Sequence, residues 1–163
     1  MGRGLAKLPG QRPDEVETAF AYLQTVRLQA EVGSKLAIRI DLIDRELLRA
    51  AADRVYAESC GTPATSRPLA DMLSPLVIEQ DGSVVPLQFG FGRKYQVGNL
   101  HKSSFAQMAT DWKRDVFTDF QDLCTQVYEV EMARDDDLPI FNWYESISRA
   151  SHRRSRVKLP VLA

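Results

Sequence analysis

The chain has 163 residues, 44% of them hydrophobic and 26% charged, with a formal net charge of -1. That length suits one compact domain or two small subdomains with a sizeable core. The near-neutral balance gives no global attraction to nucleic acid or an anionic membrane, and no apolar run reaches the ~18 residues a spanning helix needs.

Cys60 and Cys124 are the two cysteines, and His101 and His152 the two histidines. With so few, no zinc-type cluster can be assembled from this chain alone, and no disulfide framework is expected. The opening stretch MGRGLAKLPGQRP lacks the apolar core of a secretory signal, so a cytoplasmic location is expected.

Residues 1–12 are rich in Gly and Arg and read as loop. Pro13 opens a predicted helix to about Glu31, with Asp14, Glu15 and Glu17 at the positive end of its dipole. Val16, Ala19, Phe20, Leu23, Val26 and Ala30 recur at helical spacing, and Gly33 supplies the stop. Leu36 to Ile43 alternates as a strand, with Ile38, Ile40 and Leu42 on one side and Arg39 and Asp41 on the other. A helix is predicted from about Asp44 to Glu58. This helix-strand-helix order is that of an incomplete α/β segment, which asks for a parallel neighbouring strand.

Gly61, Pro63 and Pro68 mark residues 59–74 as a linker, with a helical turn around Leu69 to Leu73. Val77, Ile78, Val84 and Val85 then flank Asp81-Gly82, a strong hairpin signal whose favoured turn has positive φ at both central positions. Tyr95 to Val97 is expected to add a third short strand. Ser104 and Gln107 form the pattern of a capping box that opens a helical region to about Arg134, with a break near Lys113–Arg114. Phe105, Met108, Ala109 and Trp112 make a first apolar stripe, and Val116 to Tyr128 a second. Asp135 to Asp137 end this region. Pro139 is expected to open a last helix to about His152, followed by a basic tail.

Several side chains invite a functional reading, and each has a structural alternative. Cys124 lies on an apolar helix stripe and reads as a small core residue. Cys60 is a weak candidate metal ligand beside Gly61. His101 has no Asp, Ser or Cys at the spacing of a triad. Gln88, Phe89, Phe91, Arg93, Lys94 and Tyr95 interleave aromatic and basic groups, which suits a peptide, an anion or stacked bases. The competing reading, which is favoured, is a loop packing its aromatics onto neighbouring helices. The Asp135–Asp137 run matches no calcium loop. Arg149, Arg153, Arg154, Arg156 and Lys158 suit a helix C-terminus and tail.

The hairpin resembles the C-terminal auxiliary region, of SPASM or twitch type, of radical S-adenosylmethionine (SAM) enzymes. The shared pattern is Leu76-Val77-Ile78-Glu79, Asp81-Gly82, Val84-Val85-Pro86, Gly98-Asn99-Leu100 and then a helix carrying Trp112. Residues 1–58 likewise resemble the closing repeats of the radical SAM partial barrel. The resemblance implies a [4Fe–4S] cluster and SAM for a full-length relative only. Leu87 stands where the family has its cluster-ligand cysteine, and the Cys-x3-Cys-x2-Cys triplet is nowhere in the chain. No cofactor and no radical SAM catalysis are therefore expected of this chain alone.

The expected fold is α+β, a short antiparallel hairpin packed on helices and preceded by the α/β segment. The expected organisation is 1–58 barrel end, 59–74 linker, 75–154 hairpin plus helices, and 155–163 tail. The expected function is that of a C-terminal fragment or cluster-less relative of a radical SAM oxidoreductase. Arg39, Asp41, Gln88, Phe91 and Arg93 are its candidate substrate or partner contacts, and the missing N-terminal half or a peptide or protein its partner. Nucleic acid and membrane are not expected partners. The alternative is a stand-alone interaction module. A third class, a metal-independent enzyme using Arg39, Asp41 and His101, is the outsider.

Overall fold

Asp14 starts the first helix through a reciprocal capping box. Its carboxylate accepts from the Glu17 backbone N–H at 2.8 Å, and the Glu17 carboxylate accepts from the Asp14 N–H at 3.0 Å. Two donors orphaned at the helix start are thereby satisfied. The computed structural model describes residues 14–35, 43–50, 67–134 and 140–156. The expectations for residues 1–13, for the strand over Leu36–Leu42 with Arg39 and Asp41, for the second helix beyond Ala50, for Cys60 and the linker up to residue 66, for Asp135–Asp137 and Pro139, and for the tail beyond residue 156 lie outside the described residues.

Helix α1 (Glu15–Val32) ends at Gly33, whose φ of 58° is the reason a glycine sits there. Its apolar stripe has the predicted period but faces outward. Val16 is 67% exposed, Phe20 63% and Leu23 58%. A short strand β1 (Ile43–Asp44) leads into α2 (Arg45–Ala50), where the Asp44 carboxylate accepts from the Glu46 N–H at 2.7 Å. β1 pairs antiparallel with β5 (Ile140–Phe141), Ile43 opposite Phe141. Among the described residues the strand beside β1 runs antiparallel to it, and Leu36 to Leu42 of the predicted strand lie outside the described residues.

The predicted turn near Leu69 is a single 3-10 turn, Leu69–Asp71. Strands β2 (Leu76–Ile78), β3 (Ser83–Pro86) and β4 (Gly98–Asn99) form an antiparallel sheet in the order β2-β3-β4. Leu76 lies opposite Pro86 and Ile78 opposite Val84. The hairpin turn is one residue longer than predicted. Gly82 N–H donates to the Glu79 carbonyl at 2.9 Å, and Glu79 N–H donates to the Ser83 carbonyl at 2.8 Å. In this three-residue loop only Gly82 has positive φ, 76°.

The third strand is displaced from Tyr95–Val97 to Gly98–Asn99. Arg93–Tyr95 instead coils as a 3-10 turn, which drops the Tyr95 ring into the core. Val97 still donates its N–H to the Val84 carbonyl at 2.7 Å, so pairing begins just before the strand. Gly98 is required by close approach, since a Cβ there would come within 2.5 Å of Met108 Cγ. Gly98→Ala is expected to cost about 1–3 kcal/mol by forcing buried Met108 aside. Urea unfolding checks this, and an unchanged midpoint would contradict the packing argument.

The long helical region divides as predicted, into α3 (Phe105–Asp115) and α4 (Phe117–Ala133), with the break at Val116. Ser104 caps α3 by accepting from the Gln107 N–H at 3.3 Å. The return half of the expected capping box is missing, because the Gln107 amide donates to Asp111 at 3.0 Å. The last helix, α5 (Trp143–Arg156), starts later than expected. Ile140 and Phe141 are spent on β5, and Asn142 accepts from the Glu145 N–H at 2.9 Å.

The fold is α+β, a small antiparallel sheet packed with helices. Its core joins β3, the Phe91–Tyr95 loop, α3, α4 and α5 around Trp112, Phe91, Tyr95 and Phe120. Leu48 of α2 is fully buried in the same core. Among the described residues no helix is long and apolar enough to cross a membrane.

Candidate functional site

The hairpin turn and the loop leaving β3 are tied by charge. Glu79 has a side chain only 3% exposed. Its Oε1 accepts from the Gly90 N–H at 2.6 Å, and its Oε2 pairs with Arg93 Nη2 at 2.6 Å. The same nitrogen reaches Asp81 Oδ2 at 3.2 Å. Arg93 therefore clamps the loop to the turn. The Asn99 amide donates to the Asp81 carbonyl at 2.8 Å, while its oxygen accepts from the His101 N–H at 2.9 Å. The Gly-Asn-Leu segment is thus the fastening of β4 to the turn, completed by Leu100 N–H donating to the Gly82 carbonyl.

The Ser83 backbone N–H, helped by its hydroxyl and by Arg93, holds the Asp81 carboxyl below its ordinary value of 3.8. The folded value lies below the unfolded one. The stabilisation is therefore full above pH 3.8 and is lost as pH falls through the lowered value. A carboxyl NMR titration is expected to place the Asp81 midpoint under 3.8, rising in Arg93→Ala. A midpoint at or above 3.8 would contradict it.

The aromatic-basic run divides by face. Phe91 is 1% exposed and packs its ring 5.9 Å from Tyr95 and 6.1 Å from Phe120. Tyr95 is fully buried. Arg93 and Lys94 point outward but are held by acids, Lys94 by Asp119 at 2.5 Å. Gln88 is half-buried, and Phe89 is exposed. Gln88 and Arg93 are accessible to a partner, whereas the Phe91 ring lies inside the core. His101 is exposed.

Leu87, where the resemblance would put a cluster cysteine, is 3% exposed and has φ of 67°. A leucine in the left-handed region is strained, and its N–H donates to the Pro75 carbonyl at 2.9 Å. Cys124 is fully buried, and burial pushes its thiol pKa far up, away from the thiolate a cluster needs. Among the described residues Cys124 is the one cysteine, and no group of three His, Cys, Asp or Glu is placed to hold a metal. These residues do not fit an iron–sulfur cluster.

A second charged cluster escaped sequence reasoning. Arg45 of α2 is 6% exposed and Glu131 of α4 is 7% exposed. Arg45 Nε donates to the Glu131 carbonyl at 3.2 Å, and its Nη2 lies 3.9 Å from Glu131 Oε2. Ser146 of α5 donates to Oε1 at 2.8 Å, and the guanidinium lies 5.1 Å from the centre of the Phe141 ring. The available signal was position: Glu131 falls one turn beyond Val127 and so continues the buried face of α4.

Comparison with protein-family models, with curated proteins and with solved structures finds no match to this chain.

Proposed function

We propose that this chain is the cluster-less C-terminal part of a radical SAM iron–sulfur oxidoreductase, or a relative of that part. It makes substrate or partner contact in the cytoplasm and does not catalyse alone. The observation that carries this reading is the uncovered apolar stripe of α1, Val16, Phe20 and Leu23, each more than half exposed. A stripe of that kind asks for a neighbouring surface, which the barrel half of such an enzyme supplies. The hairpin, the Gly-Asn-Leu fastening and the Trp112 helix fold as one unit in the family's order, which also supports it. On this reading SAM and the cluster belong to the other half. Nucleic acid and membranes are not proposed as partners.

The test has two parts. The purified chain, reconstituted anaerobically with iron and sulfide, is expected to stay colourless. An antibody to the chain is expected to detect, in source cells, a species well above 18.4 kDa that carries iron–sulfur absorbance. A stoichiometric cluster on the isolated chain overturns the reading. An iron-free species at 18.4 kDa replaces it with the stand-alone peptide- or protein-interaction module.

A further inference from the structure

A cleft of about 370 Å³ opens between α4 and α5. That is within the range of small-molecule sites. Leu123 and Val127 of α4 and Ala150 of α5 give it an apolar floor, and Val130 stands 63% exposed in its wall. Among the described residues its lining carries the guanidinium groups of Arg134, Arg149 and Arg153 and the carboxylate of Glu131. That carboxylate is already engaged by Ser146, Arg45 and Arg134. Among the described residues, Arg149 and Arg153 of α5 are the lining cations that do not pair with Glu131.

The spacing of the cations adds to this. Arg149 and Arg153 sit one helical turn apart, where like charges work against the helix. Glu145 answers Arg149 at 2.7 Å from the preceding turn. Arg153 has no ion pair among the described residues. An anion seated there relieves the repulsion, and an apolar body attached to it covers the floor.

We propose that this cleft binds a small amphiphilic anion, a carboxylate or phosphate monoester on an aliphatic or aryl body. The head group sits between Arg149 and Arg153, whose planar forks match such oxygens. The body lies on Leu123, Val127 and Ala150. This inference does not depend on the radical SAM reading.

The test titrates decanoate, decyl phosphate and decanol into the whole chain, below their aggregation concentrations, and follows the methyl NMR signals of Leu123, Val127, Val130 and Ala150. At least one anion is expected to shift them saturably, and decanol to bind about tenfold or more weakly. The Arg149→Gln/Arg153→Gln variant, its fold checked by circular dichroism, is expected to lose about tenfold or more in anion affinity while decanol binding stays unchanged. Absence of saturable shifts, equal affinity for decanol, or undiminished anion binding by the double variant overturns the proposal. So does anion binding seen only after Asp135, Asp136 and Asp137 are all replaced by Asn. The cationic cleft would then serve the acidic run that follows Arg134 in the chain.

Discussion

Glu131→Ala is expected to destabilise the fold by about 3 kcal/mol, because it removes the buried carboxylate on which Arg45, Arg134 and Ser146 converge. The pair is nearly shut from solvent, with side-chain exposures of 7% and 9%. Removing one partner of a buried pair costs more than the pair itself contributes, since the remaining charge loses part of its compensation while staying buried. The Ser146 hydroxyl also loses its acceptor. The Glu131 backbone carbonyl survives the substitution and still accepts from Arg45 Nε, which keeps the loss below the upper end for such pairs. In a domain of this size the melting temperature should fall by roughly 10 °C. The companion variant Arg45→Met/Glu131→Leu removes both charges and fills similar volume, and it should recover most of the stability. A double variant as unstable as the sum of the two single ones would show that the ion pair is not the cause.

This pair is one of the contacts that join two parts of the chain, beside the pairing of β1 with β5. Arg45 opens α2 and Glu131 closes α4, so the contact joins the helix-strand-helix part of the sequence to the hairpin-and-helix part. Leu48, one turn after Arg45, enters the same core as Trp112 and Phe120. A ligand in the cleft between α4 and α5 would lie against Glu131 and so against this junction.

What could be read from the sequence follows from which forces are local. The hairpin was legible because its β-branched residues and Asp-Gly turn act within a few residues of one another. The break between α3 and α4 was legible because the two apolar stripes need not share one face, though it falls at Val116, just after Lys113–Arg114. The place of the third strand was not, because Tyr95 has a better use as a core ring than as a strand residue, and that is decided by Phe91 and Phe120. The period of α1 was legible, but period alone does not say what covers a stripe, and here the stripe faces outward. Alternation of aromatic and basic residues marked the Gln88–Tyr95 loop as a candidate binding segment. It could not separate Phe91, turned inward, from Arg93, turned toward the acids of the turn. The cleft escaped notice because its lining comes from two successive helices whose facing sides are set by packing, not by either helix's own pattern.

Trp112→Ala carries the largest expected loss, about 4 kcal/mol, from an emptied core site and an unpaired carbonyl together. Trp112 is 1% exposed, its ring centre lies 5.6 Å from that of Phe120 and 5.8 Å from that of Phe117, and its indole N–H donates to the Tyr95 carbonyl at 3.0 Å. That bond holds the 3-10 turn of Arg93–Tyr95 against α3, and the turn positions Arg93 on Glu79. Trp112→Phe keeps much of the ring and loses the donor, so it should cost about 2 kcal/mol. Hydrogen exchange separates the two roles. If the indole bond fixes the loop, Trp112→Phe should speed exchange at the Gly90 and Tyr95 amides more than at Val84 in the sheet. If the ring acts only as filler, exchange at all three should rise by the same factor, and the Gly-Asn-Leu segment and its Trp helix would be linked by packing alone.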